Sequence, residues 1–425
     1  MTRDDDDNVI RILATPAAAA RINRRQLLGA AGAGFALVAC GTDDDDATPP
    51  RSTASTPAAS APPSPSETAS ASASASPSET AAESPSESPT AAAEPAKLEK
   101  NLNMYTWAEY QDEDNVKNFT KTLGPKVKID EYDSNEAMIA KLELAKGSAG
   151  YDLVVPTGVF IPQMVQKGLL RKLDKSKIPN FANLEEAFLD QPWDPGNEYS
   201  VVKDWGSTGY LWDSKGLKDD IKTWADFFEA AKKVSGKVSV LAAPGDVTGM
   251  YFWREGIPWT TEEKADLDAA EKALLAELAP HVRAFDSYPS EKMLEGAYVL
   301  SQAWNGDARI AVQEDPDRYR WALGAPKTEL WVDNFAILAS AKNPEAAHAF
   351  INYMLDVDVS AKEVEYHGFN TAVKGVREKL GKDLDQAEII YFTAEEIQRL
   401  EAGAVNSAQD RIVAIYNKVK AAAGK

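Results

Sequence analysis

The chain of 425 residues carries 66 Asp and Glu against 46 Lys and Arg, a net charge of −20. That balance opposes nucleic acid and anionic membrane surfaces as partners, because both would repel it. Its three histidines (His281, His348, His367) have no metal-ligand spacing, and its one cysteine, Cys40, excludes an intramolecular disulfide.

The first feature along the chain is an address. Arg24-Arg25 leads into a run of small and apolar residues ending in Leu37-Val38-Ala39-Cys40. The run, at about 13 residues, is too short for a permanent membrane span. Its end resembles a lipobox, and the paired arginines resemble a twin-arginine export signal, with Leu27 where phenylalanine is usual. Residues 1–40 are therefore expected to be an export and lipoprotein signal with Cys40 as the lipidated residue. Residues 41–98, dominated by Ser, Ala, Pro, Thr and Glu, lack the apolar surface that would offset the entropy of ordering. They read as a disordered tether holding a globular region away from the outer face of a cell membrane, a layout that suits a Gram-positive-type surface.

The globular region alternates short apolar strands with amphipathic helices, which predicts an α/β fold. Strands are expected over Leu102–Trp107, Val127–Tyr132 and Asp152–Pro156, and Asp133-Ser134-Asn135-Glu136 has the spacing of a helix-opening capping box. A long strand-like run from Tyr199 to Trp212 leads to a second α/β set. That set comprises helix Thr223–Val234, strand Val238–Ala242, a helix from Asp246, helix Thr261–Leu278, helix Ser290–Ala303 and strand Ala308–Val312. Strand Leu330–Leu338 and helices Pro344–Met354, Ala394–Ala402 and Ala404–Ala422 complete the chain. Two sets with the chain returning to the first predict two lobes and a cleft between them, expected as 99–205 with 306–342 and 206–305 with 343–425. Ligands of open α/β sheets bind at the carboxyl ends of the strands.

Three tryptophans stand two or three residues from a carboxylate: Trp107 with Glu109 and Tyr110, Trp304 with Asp307, and Trp331 with Asp333. An aromatic face attracts a cation while a carboxylate takes its N–H donors, so these segments brought to one cleft make a site for an organic cation. Taken singly, each is also consistent with a core aromatic beside an exposed acid. Trp331 and Asp333 share one strand face. Asp246, after Pro244-Gly245, fits either a helix cap or a ligand contact.

The mature region resembles the spermidine/putrescine-binding receptors of ABC transporters. The resemblance rests on Tyr105-Thr106-Trp107-Ala108-Glu109-Tyr110, Tyr132-Asp133-Ser134-Asn135-Glu136, Tyr151-Asp152-Leu153-Val154-Val155-Pro156, Asp194-Pro195-Gly196-Asn197, Trp205-Gly206-Ser207-Thr208-Gly209 and Ala303-Trp304-Asn305-Gly306-Asp307, in that order and spacing. It implies a two-lobed periplasmic-binding-protein fold of type II that closes on its ligand about a hinge. The implied role is that of an extracytoplasmic lipoprotein, not an enzyme, which delivers a polyamine to a membrane permease. Its implied ligand contacts are Trp107, Glu109, Tyr110, Asp246, Trp304, Asp307, Trp331 and Asp333. No cofactor or metal is expected, the chain is expected to be a monomer, and its partners are the polyamine, the permease and, through lipid, the membrane. Ala108, Val159, Ala243, Asn370 and Gly403 depart from the polar or aromatic residues that members of the family carry, so a related cation stays open as the ligand. A same-fold receptor for another small solute, a ligand sensor without transport and a carboxylate-pair glycan hydrolase are the rival readings.

Overall fold

A computed structural model describes residues 97–424, apart from 148, 382 and 383. The expected signal with Cys40, and the expected tether up to residue 96, lie outside the described residues. All described residues belong to one compact unit. Its strands are β1 (Asn101–Trp107), β2 (Lys126–Tyr132), β3 (Leu153–Val154), β4 (Ser200–Asp213), β5 (Val238–Val240), β6 (Val282–Phe285), β7 (Leu300–Trp304), β8 (Tyr319–Leu323), β9 (Thr328–Ile337), β10 (Asn370–Thr371) and β11 (Leu400–Ala402). They hydrogen-bond in the order β2-β1-β3-β9-β4-β7-β5-β6, with β8 and β10 paired to β4 and β11 to β9. The α/β architecture with two lobes is therefore as expected.

β4 and β9 join the two halves. Every residue of both strands is buried, the charged Lys203, Asp204, Glu329 and Asp333 among them. The first half of β4 pairs antiparallel with β9, bringing Gly206 opposite Trp331, and the second half pairs with β7 and β8. The parallel set β2-β1-β3 continues from β9 on one side, and β7-β5-β6 continues from β4 on the other. The β4–β9 ladder is irregular between Val202 and Asp204 and resumes through Ser207.

Local chemistry sets the elements nearest the cleft. Helix Asn135–Leu144 starts at Ser134, whose hydroxyl accepts from the Ala137 N–H. Helix Trp224–Lys233 has a full capping box between Thr223 and Asp226. Helix Pro244–Glu255 has Pro244 in its first turn, where no N–H is needed, and ends at left-handed Gly256.

The expected helix Ser290–Ala303 and strand Ala308–Val312 are corrected. Helix Ser290–Leu294 stops before Gly296 (φ 78°), residues Leu300–Trp304 form β7, and Asn305–Glu314 is a helix. Ala308, Ala311 and Val312 recur at the helical three-and-four spacing and are buried together. The predicted helix Ala394–Ala402 shortens to Ala394–Ile397, because residues 400–402 pair in parallel with β9.

Two large apolar cores lie on either side of the β4–β9 crossing. The first gathers Leu102, Phe119, Val202, Phe335, Phe350 and Phe392, and the second Tyr210, Trp224, Phe227, Trp253, Leu300 and Ile415. Residues 346–392 thus contribute to the first core, whereas 343–425 was expected in the second lobe; only residues from Ala408 onward pack into the second core. Helices Pro344–Met354 and Val357–His367 bury Phe350, Ile351 and Val364 against the sheet of the first half, which determines their side of the molecule.

Gly206 is where this crossing is tightest. A Cβ there would lie 2.4 Å from Asn305 Oδ1 and 2.4 Å from Trp331 Cζ2. Gly206→Ala is expected to lower unfolding free energy by about 1–3 kcal/mol through overpacking, read in a denaturant titration, and to displace the Trp331 ring.

Candidate ligand-binding site

The carboxyl ends of β1 and β7, the middle of β9 and the start of helix Pro244–Glu255 converge on one cavity between the halves. It encloses ≈ 990 Å³, with open solvent at its mouth included. Trp107, at the end of β1, donates its indole N–H to the Val155 carbonyl at 3.0 Å and packs on Tyr132. Trp304, at the end of β7, meets Trp107 edge-on at 5.9 Å and has Tyr288 edge-on at 6.1 Å on another side. Trp331 stands edge-on to Phe369 at 4.8 Å. Trp259 donates to the Gly245 carbonyl at 3.2 Å and occupies the space beside Gly403, where a Cβ would come within 3.0 Å of its ring.

Four carboxyl side chains line these aromatic walls: Glu136, Asp246, Glu329 and Asp333. None of the lining residues is Lys, Arg or His. Asp333 accepts from the Thr157 hydroxyl at 2.7 Å, and Glu136 from Gln409 Nε2 at 2.9 Å. The Thr208 hydroxyl lies 3.1 Å from Asp246 Oδ1 and 2.8 Å from Glu329 Oε2, and the Trp304 indole N–H lies 3.4 Å from Asp246 Oδ1.

Burial acts on all four acids in one direction. It pushes Asp333 up to about 7 despite the Thr157 hydroxyl, and it raises Glu136 from its ordinary value. Glu329 is raised well above its ordinary value by burial first and by the charge of Asp246 second. Asp246 is raised by burial, against the hydrogen bonds from Glu329, Thr208 and Trp304. The contact between the two side chains acts in opposite senses on them, raising Glu329 and lowering Asp246, and at Asp246 burial outweighs it.

Behind the first wall, Lys203 pairs with Asp204 at the ladder irregularity, and its ammonium sits 3.7 Å from the Tyr110 ring centroid. His367 Nε2 lies 3.0 Å from Asp204, and Glu363, which takes an N–H of Asn115 at 2.8 Å, lies 4.0 Å from Lys203. Burial disfavours the charge on Asp204, but Lys203 and His367 outweigh it and hold its pKa low. This buried network fixes Tyr110 against the strand crossing.

Of the eight ligand contacts expected from sequence, Trp107, Tyr110, Asp246, Trp304, Trp331 and Asp333 line the cavity, and Glu109 and Asp307 do not. Glu109 is exposed in a turn with φ 52°. Asp307 is buried inside the first turn of its helix, where it accepts from the backbone N–H and hydroxyl of Ser290 at 3.2 and 2.7 Å. Sequence reasoning missed Glu136 and Glu329 as lining acids and Phe160, Trp259, Tyr288 and Phe369 as wall aromatics. Glu329 had a signal, since it alternates with Trp331 and Asp333 on one face of β9; Trp259 had none. Ala108, Val159, Ala243 and Gly403 also line the cavity, whereas Asn370 pairs with Trp205 in the sheet. Among the described residues no cluster of His, Cys, Asp and Glu is arranged to hold a metal ion.

Residues 115–390 match the family of bacterial extracellular solute-binding proteins. The chain is 34% identical over 340 residues to the spermidine/putrescine-binding periplasmic protein of Escherichia coli (strain K12), covering 78% of this chain and 94% of that one. It is 31% identical over 319 residues to a putrescine-binding periplasmic protein of Pseudomonas aeruginosa, covering 71% and 86%. Among solved structures, a putative spermidine/putrescine ABC transporter protein from Listeria monocytogenes superposes with a TM-score of 0.70 at 29% identity, over 77% of this chain and 99% of that one.

Asp333 gives a signed pH test on the protein without ligand. Its folded pKa of about 7 lies above the usual carboxylate value, so ionising it opposes folding; the penalty is absent near pH 4 and complete above pH 7. Asp333→Asn removes that penalty and keeps an acceptor for Thr157. The variant is expected to gain stability over the parent at pH 8, on the order of 2–4 kcal/mol, and little at pH 4.5, read by thermal unfolding at both values.

Proposed function

The chain belongs to the bacterial extracellular solute-binding protein family, and from that premise we propose that it is the polyamine receptor of an ABC importer, taking a putrescine- or spermidine-type ligand into the cavity between its lobes. The observation that carries this reading is the lining itself: four carboxyls and eight aromatic side chains with no basic side chain. A polyamine supplies the missing charge at both ends and an apolar chain between them.

In this reading the alkyl chain and its ammonium groups lie against Trp107, Trp304 and Trp331, with Tyr110 at the side. Asp333 holds one end and Asp246 acts from the second lobe. Each cation–π contact in such a desolvated cage contributes about 0.5–2 kcal/mol, and each charge-assisted hydrogen bond about 1.5–3 kcal/mol. A ligand touching both lobes stabilises the closed arrangement over the open one, which is the form presented to the permease. The lobes follow the two cores, roughly 99–205 with 330–392 and 210–300 with 408–424. The receptor is a monomer outside the cytoplasm, anchored by lipid on Cys40. A second reading, a receptor for another organic cation, draws on the apolar lining at Ala108, Val159, Ala243 and Gly403.

Calorimetric titration of residues 97–425 with putrescine, cadaverine, spermidine and spermine, with choline and arginine as controls, is expected to give one-to-one binding of a polyamine. Heat only with choline or arginine favours the second reading. Trp331→Ala with Asp333→Ala should abolish the polyamine signal; a double variant that binds like the parent sinks the assignment of these two residues. Because Asp333 must lose its proton to hold an ammonium, affinity should rise roughly ten- to a hundredfold between pH 5 and pH 8. Cys40→Ser in the full chain should move the protein from the membrane fraction to the soluble fraction.

A further inference from the structure

We propose that Glu329, joined with Asp246, forms a two-carboxyl socket for the far ammonium of a linear polyamine longer than a diamine. This deepens the reading above and rests on it. Both acids are more than nine-tenths buried, and both face the cavity. They share the Thr208 hydroxyl, which has a single proton and lies within hydrogen-bond distance of both. A lone acid in this position could be kept neutral by burial alone; two side by side leave an acceptor oxygen facing the cavity even when one proton is shared between them.

The Glu329 side chain is not wedged into packed core. A second cavity of ≈ 270 Å³ opens beside it, sharing Thr157, Val159, Trp259 and Gly403 with the first. Room on both sides lets the carboxyl turn toward a ligand.

Strand geometry supplies the length. Glu329, Trp331 and Asp333 occupy alternate positions of β9 and line the same cavity. A strand rises about 3.3 Å per residue, so the two acids are separated by about 13 Å along it, with the indole midway. Side chains on one strand face stand nearly parallel, so the two carboxyls keep much of that separation. Butane-1,4-diamine is too short to bridge them, whereas a triamine spans them with its chain over Trp331.

The proton balance follows. The empty pair holds one proton between Glu329 and Asp246. When the ammonium enters, that proton leaves to solvent, both carboxylates accept N–H donors, and Thr208 donates to one of them. The ionisable groups facing Glu329 are Asp246 from helix Pro244–Glu255, Asp333 along β9 and, as its register partner on β11, Glu401. Glu136 lines the same cavity.

The test compares the parent with Glu329→Gln, whose amide can replace the protonated acid as a donor to Asp246. Spermidine and putrescine are titrated calorimetrically in buffers of different ionisation heat at pH 7.5. The parent is expected to prefer spermidine, and the variant to lose at least tenfold of that preference and to release about one proton fewer per spermidine bound. Its unfolding temperature without ligand should be equal to or above the parent's. A parent that prefers putrescine, a variant that keeps the parent's preference, or a variant whose ligand-free unfolding temperature falls overturns the assignment of Glu329. A parent that binds no polyamine instead overturns the reading of the whole site, and the socket with it.

Discussion

The constraint on which the structure depends is the burial of four acids around one aromatic cavity with no basic side chain among its lining. Removing a carboxylate from water costs several kcal/mol unless a partner compensates, and a group without one takes up a proton instead. Burial is the first cause of the upward shift at each of Asp333, Glu136, Asp246 and Glu329. An interior built only for stability would have apolar residues there. The acids are tolerable because the ligand brings the opposite charge, so the protein without ligand stores unfavourable electrostatics that binding releases. The same arrangement discriminates between ligands, since a cation with one charged end leaves an acid at the other end buried and unpaired.

The crossing pair β4–β9 turns this local chemistry into a two-lobed device. β9 carries Glu329, Trp331 and Asp333, and β4 supplies Gly206, which makes space for Trp331, and Thr208, which sits between the second-lobe acids. The Lys203–Asp204 pair stands at the irregular point of the same ladder, with the ammonium over Tyr110. Ligand contacts and the joint between the lobes are therefore a few residues apart on the same two strands. A change in charge at the cavity acts directly on the segment about which the lobes would move.

The fold was legible because strand and helix periodicities are local. The buried run of β4, the cap at Thr223, and the alternation of Trp331 with Asp333 could be read without knowing what packs on what, whereas the box expected from Asp133 gives way to a cap at Ser134. Failures came where a tertiary partner decides. Asp307 stands next to a tryptophan like the other candidate acids, but Ser290, distant in sequence, claims its carboxylate. Glu109 is adjacent to β1, yet a left-handed turn leaves it in solvent. Residues 308–312 are as apolar as a strand, but they follow a strand already paired to β4, and their spacing suits a helix. Trp259 reaches the cavity where Gly403, distant in sequence, leaves room for it.

The departures from the polyamine-receptor pattern acquire a common sense in this geometry. The resemblance places a further acid at position 243 in spermidine-type members, and here that position is Ala243, one helical turn before Asp246. Glu329 faces the same Asp246 from β9. The cavity end near Asp246 thus keeps two carboxyls, with the second moved from the helix of one lobe to the crossing strand. On the helix, an acid at 243 would move with the second lobe; on β9 it is attached to the strand that also carries Trp331 and Asp333. Both end acids and the central ring then belong to one rigid element, so the length of the site no longer depends on how far the lobes close. Lobe closure would adjust how tightly the ligand is covered by Trp304 and Asp246, and the strand would set which chain length fits.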